Sequence, residues 1–69
     1  MKISARNVLK GKVKSVIEGA VNAEVVIELK GGETVTSIIS MSSLKTLEIK
    51  EGKEVYGIVK ASNVMIVVD

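Results

Sequence analysis

The sequence predicts an all-β domain: a small five-stranded Greek-key barrel carrying one short helical turn. Three observations predict it. Apolar and polar residues alternate with period two through most of the 69 residues, the pattern of half-buried strands. Glycine-centred reversals punctuate the runs, and no proline interrupts them. The stretch "MSSLKTLEIK", residues 41–50, breaks the alternation.

The first strand is "VLKGKVKSVI", where Lys10, Lys12 and Lys14 alternate with Leu9, Gly11 and Val13. Gly11 inside it signals a bend or a close approach of backbone. In "VNAEVVIEL" one face carries Ala23, Val25, Ile27 and Leu29, and the other Asn22, Glu24 and Glu28. "KGGE", Lys30 to Glu33, is a glycine-rich reversal, so "ETVTSIIS" returns antiparallel as a hairpin. Ser42 or Ser43 is expected to cap a helical turn carrying Leu44 and Leu47, with Gly52 as punctuation. "EVYGIVKA" is the fourth strand. After a Ser62-Asn63 turn, "VMIVVD" is the fifth. With one brief helical turn, this is the small closed or partly open barrel of the OB type.

Composition bounds the rest. Residues 1–69 are expected to form one domain, and a chain this short buries only ~60% of the surface its unfolded form exposes. A disulfide, a metal or partner subunits usually make up that deficit. The sequence has no cysteine and no histidine, which removes disulfides and the common zinc, copper and haem sites. Self-association remains. In the last two strands both faces are apolar: Tyr56 and Ile58 oppose Val55, Gly57 and Val59, and Met65 and Val67 oppose Val64, Ile66 and Val68. An oligomer would bury that surface. The apolar runs are too short to span a bilayer, and no leader pattern opens the sequence, so a cytoplasmic location without membrane contact is expected.

Charge and chemistry narrow the function. The net charge of +2 is a mild bias towards anions rather than a basic stripe. Without histidine, a hydrolytic triad reduces to a Ser–Lys pair such as Ser62 and Lys60. Such pairs are common in polar turns, so no catalytic residue is assigned and no enzyme is expected. No phosphate-loop or dinucleotide pattern occurs, and the acidic residues are too scattered for a cation site. OB barrels hold single strands by stacking bases on aromatic side chains, and one tyrosine supplies no such platform. What remains is a set of hydroxyls, small-residue backbone and isolated cations at strand ends: Ser4 and Arg6, then Ser40, Ser42 and Ser43, then Lys60 and Ser62. Spacing alone does not bring them together.

The combination of "SARN" beside "LKG", "GAVNAEVVIEL", "TSIIS", "EGKEV" and "VKASNVMI" resembles the molbindin family, the small Mop-type molybdate-binding proteins, across essentially the whole chain. The resemblance implies a Mop/TOBE-like barrel assembling into homohexamers, as trimers of dimers, with molybdate or tungstate held between subunits. It implies intracellular storage and buffering of the oxyanion, with no covalent cofactor and no resident cation. Carried onto this sequence, the dimer-interface site would use Ser4, Ala5, Arg6 and Asn7, together with Lys60, Ala61 and Ser62. Ser40 and Ser43 would come from the partner. A second, backbone-built site on the threefold axis would use Gly19, Ala20, Val21 and Asn22.

The donor set suits such a ligand. Molybdate at neutral pH is a tetrahedral dianion without a proton, so it accepts hydrogen bonds and donates none. N–H groups, hydroxyls, Arg and Lys meet it with donors throughout. Hydrogen phosphate carries a proton, and a site that turns donors to every oxygen leaves that proton without an acceptor, at a cost of about 1–3 kcal/mol. Sulfate has no proton, so its rejection must rest on size, and tungstate matches molybdate in both respects. Two other readings stand beside this one. One is an OB-type module binding nucleic acid through Lys10, Lys12 and Lys14. The other is a pure assembly module. A stacked pterin is not expected with one tyrosine.

Overall fold

The computed structural model describes residues 2–69. Strand β1 spans Asn7–Glu18, β2 Asn22–Leu29, β3 Thr34–Ser40 and β4 Glu54–Val59; helix α1 spans Met41–Thr46, and a 3₁₀ turn covers Ala61–Asn63. All neighbours are antiparallel, in the order β3-β2-β1-β4. Three strands joined by hairpins, with a fourth returning beside the first, make a Greek key. β3 and β4 are the two edge strands, so the barrel is open.

β1 holds the fold together by serving two partners. Its first half, from Asn7↔Val59 to Lys12↔Glu54, pairs with β4. Its second half, from Gly11↔Leu29 to Glu18↔Ala23, pairs with β2. A bulge between Val13 and Ser15 adds local twist where the strand changes partners. Gly11 lies in the overlap. A Cβ there would stand 2.5 Å from the Glu28 carbonyl oxygen and 2.7 Å from Ile27 Cγ2, so the expected close approach of backbone is present.

The alternation expected for β2 is the core itself. Ala23, Val25 and Ile27 are buried with Val13 of β1 and Leu44 of α1, and Leu29, Val16, Ile39, Met41, Ile49 and Val55 pack around them. The Lys30–Glu33 reversal closes as expected. The Leu29 N–H donates to the Glu33 carbonyl at 2.8 Å and the Gly32 N–H to the Leu29 carbonyl at 2.9 Å. Gly32 has φ +94°, a conformation glycine takes without steric cost.

Two expectations need correction. The helix is capped by Ser40, not by Ser42 or Ser43. The Ser40 backbone is still extended (φ −71°, ψ 154°), and its side chain accepts from the Ser43 N–H. The cause is packing, because Met41 and Leu44, three residues apart, must both turn to the core. Leu47 is then the C-cap and is exposed. Past it, the Ile49 N–H bonds the Leu44 carbonyl at 3.0 Å and the Glu48 N–H the Lys45 carbonyl at 3.1 Å. This is a Schellman ending with Glu48, at φ 52°, where glycine usually sits. Lys53 Nζ donates to the freed carbonyls of Leu47 and Glu48 at 2.6 and 3.2 Å.

The second correction is the fifth strand. Residues 64–69 pair with no strand among the described residues. Met65, Ile66, Val67 and Val68 are 84–93% exposed. The segment alternates like a strand, but this chain offers it no ladder.

Candidate anion-binding site

One hollow gathers most of the expected site. It is lined by Ser4, Ala5, Arg6, Ile58, Lys60, Ala61, Ser62 and Asn63. Its two walls come from segments far apart in sequence, brought together by the pairing of β1 with β4, whose terminal pair is Asn7↔Val59. Arg6 lies just outside β1 and Lys60 just beyond β4, so both cations leave the sheet at the same end. The 3₁₀ turn that follows closes with the Asn63 N–H donating to the Lys60 carbonyl at 2.9 Å, and no side chain caps its start. The N–H groups of Ala61 and Ser62 therefore stay free of intrachain partners among the described residues.

The electrostatics set this hollow apart. It holds two cations and no carboxylate. Among the described residues the ion pair within 4 Å is Lys14–Glu28 at 3.8 Å, so Arg6 and Lys60 have no acidic partner. Two other concave regions mix signs. One sets Glu48 and Glu51 beside Lys50 and Lys53; the other sets Glu28 and Glu54 among Lys10, Lys12 and Lys30. The stripe of Lys10, Lys12 and Lys14, on which the nucleic-acid reading rests, is thus interleaved with acids. Lys12 lies opposite both Glu28 and Glu54.

Asn7 does not line the hollow. It begins β1, and its side-chain Nδ2 donates to the Val59 carbonyl at 3.1 Å. Ser40 and Ser43 lie elsewhere too. β2 and β3 place Ser40 opposite Asn22, beside the end of β1 marked by Glu18↔Ala23, whereas the hollow sits at the Asn7 end. Ser40 Oγ accepts from the Ser43 N–H at 3.0 Å and donates to Ser43 Oγ at 2.9 Å, so the Ser43 hydroxyl proton is not used in that bond. Within one chain these two serines neighbour the other expected site. The Gly19 N–H bonds the Asn22 carbonyl and the Met41 N–H the Val21 carbonyl, each at 2.8 Å, so the Gly19–Asn22 turn is tied to the start of α1. Ala20, Val21 and Asn22 are exposed.

Sequence reasoning missed Ile58 and Asn63. Ile58 alternates with the buried face of β4 and is 51% exposed, and an apolar residue on an outward face was the available signal. Asn63 closes a turn and carried none.

The TOBE domain model matches residues 3–66. Molybdenum-pterin-binding protein 3 of Clostridium pasteurianum is 56% identical over 66 residues, 96% of this chain and 97% of its own. Among solved structures, MopII from Clostridium pasteurianum superposes with a TM-score of 0.92 at 52% identity, covering 97% of this chain and all of that one. ModG, described as a cytoplasmic molybdate-binding protein and solved with molybdate bound, gives 0.91 at 43% identity over 94% of this chain and 46% of its own. This chain belongs to the TOBE-domain family, among its small Mop-type molbindins.

Proposed function

We propose that this chain binds molybdate, and tungstate comparably, in the Ser4–Arg6/Lys60–Asn63 hollow, and that residues 1–69 act as one oxyanion-binding domain. The observation that carries the reading is a concave surface with two unpaired cations, hydroxyls, free N–H groups and no carboxylate. A proton-free dianion is what such a donor set complements. The ligand reported for ModG is of that kind.

A second copy completes the site. In one chain the hollow is open and most of its residues are exposed, and water weakens every charge interaction there. Ser40 and Ser43 lie at the opposite end of β1, so these donors reach the hollow only from another chain. The unpaired 64–69 segment supports the same reading, since its exposed apolar side chains need a neighbouring copy to cover them. We assign the assembly as a homohexamer, a trimer of dimers. The exposed Gly19–Asn22 turns would meet around its threefold axis as a second, backbone-built anion site. The role is binding and storage of the oxyanion in the cytoplasm, with no catalysis and no covalent cofactor.

The test is a thermal melt of the assembled protein with and without molybdate. Ligand at a hundred times its Kd stabilises by about 2.7 kcal/mol, which for a domain of this size raises Tm by roughly 10–20 °C. Arg6→Ala removes a charged donor worth about 1.5–3 kcal/mol and should cancel most of that rise. A melting curve that ignores saturating molybdate refutes the reading.

A further inference from the structure

We infer that Asn7 is a positioning residue, a neutral clamp that holds the two cationic walls of the hollow in register. The inference rests on the anion reading above and explains what holds the hollow in shape. Asn7 is half-buried, and its Nδ2 group donates to the Val59 carbonyl at 3.1 Å across 52 residues of sequence. The other side-chain hydrogen bonds of the described residues join positions three to six apart. This one alone fastens two distant segments. Its place matters as much as its span. Asn7↔Val59 is the last pair of the β1·β4 ladder, where a sheet frays, and Arg6 and Lys60 are the next residues on either side.

The chemistry of the residue fits the task. A carbonyl oxygen accepts, so the amide must present its NH₂ group there; an oxygen facing an oxygen would be repulsive. An aspartate has the same shape but would turn an acceptor to that carbonyl. It would also set a negative charge beside a hollow that otherwise has none. Asparagine supplies the bond without the charge. Arg6 and Lys60 line one hollow with like charges, and a clamp one residue behind each limits how far their repulsion can drive them apart. Binding then loses less ordering entropy.

The experiment titrates sodium molybdate calorimetrically into the wild-type assembly, Asn7→Leu, Asn7→Gln and Val35→Ala, and follows amide exchange of each without anion. For Asn7→Leu the Kd should rise about tenfold, the low end of the loss seen when a group that orients metal ligands is removed. Exchange should quicken at residues 4–6 and 61–63 and stay unchanged across β2 and β3. Asn7→Gln, which keeps an amide on a longer arm, should recover part of the affinity. Val35→Ala, in β3 away from the hollow, should lower Tm and leave Kd unchanged. Should the leucine variant fail to fold, Asn7→Ala takes the same test. A wild type that binds while the Asn7 variant stays within about twofold of it, the scatter of a neutral surface change, overturns the clamp alone. A wild type that takes up no molybdate overturns the anion reading and the clamp with it.

Discussion

Gly11→Ala should be among the most damaging single-methyl changes in this protein. The added Cβ would lie 2.5 Å from the Glu28 carbonyl oxygen, 2.7 Å from Ile27 Cγ2 and 3.1 Å from the Glu28 carbonyl carbon. Comfortable contacts of this kind are about 3.5–4.0 Å, so roughly 1 Å of overlap must be relieved. The obstacle is backbone, and β2 cannot retreat, being laddered to β1 on one side and β3 on the other with Ile27 in the core. Overpacking of this sort costs about 1–3 kcal/mol or more. At ~0.05–0.15 kcal/mol per residue, a chain this size has about 3–10 kcal/mol in total. The expected loss in Tm is roughly 5–25 °C. Gly57→Ala is the matched control. It is also a strand glycine facing the core, yet its Cβ would meet Ile27 Cδ1 at 3.5 Å and the Leu9 carbonyl at 3.9 Å, both ordinary contacts. It should gain about 0.5–1 kcal/mol from the stiffer unfolded chain. Circular-dichroism melts at one protein concentration decide it, since the proposed assembly would make Tm concentration-dependent. Equal melting temperatures for the two variants would refute the steric argument.

Ser40→Ala removes the α1 cap and should cost about 1 kcal/mol, read as a lower Tm without anion, while Ser42→Ala changes little. Glu48→Gly relieves the left-handed backbone at φ 52° and should raise stability by up to about 1 kcal/mol in urea titrations; a loss would show that Glu48 holds its conformation through side-chain contacts. Met65→Glu with Val67→Glu charges one face of the 64–69 segment and should dissociate the proposed assembly, as ultracentrifugation would report. A full-sized assembly from that double variant would remove the segment from the interface.

How much of this was legible depends on how far apart the interacting residues are. The period-two run of β2 became the core at Ala23, Val25 and Ile27 because a strand's facing is a local property. Gly11 was readable as a crowded position for the same reason. The cap was not, because Ser40, Ser42 and Ser43 offer the same hydroxyl within four residues. Only the demand that Met41 and Leu44 reach the core selects among them. The 64–69 segment reads as a strand because its alternation is local, but a strand also needs a ladder, and no local pattern says which chain supplies it. The hollow was the least legible. Nothing in the spacing of Arg6 and Lys60 says that they meet; that follows from Asn7 finding Val59, and the resemblance to molbindins carried it in advance. The separation of Ser40 from Arg6 is likewise a property of β1's length and pairing, not of either residue.

The pairing of β1 with β4 has a kinetic consequence. The β1–β2 and β2–β3 ladders close through short turns, whereas Asn7↔Val59 closes a loop of 52 residues, with a correspondingly larger entropy cost before any contact rewards it. The three-stranded meander should therefore form early and the docking of β4 late. Interactions made after the rate-limiting barrier slow unfolding and leave the folding rate almost untouched. An oxyanion lodged between Arg6 and Lys60 would act as a latch on a finished fold, lengthening the life of the native chain without helping it to be reached.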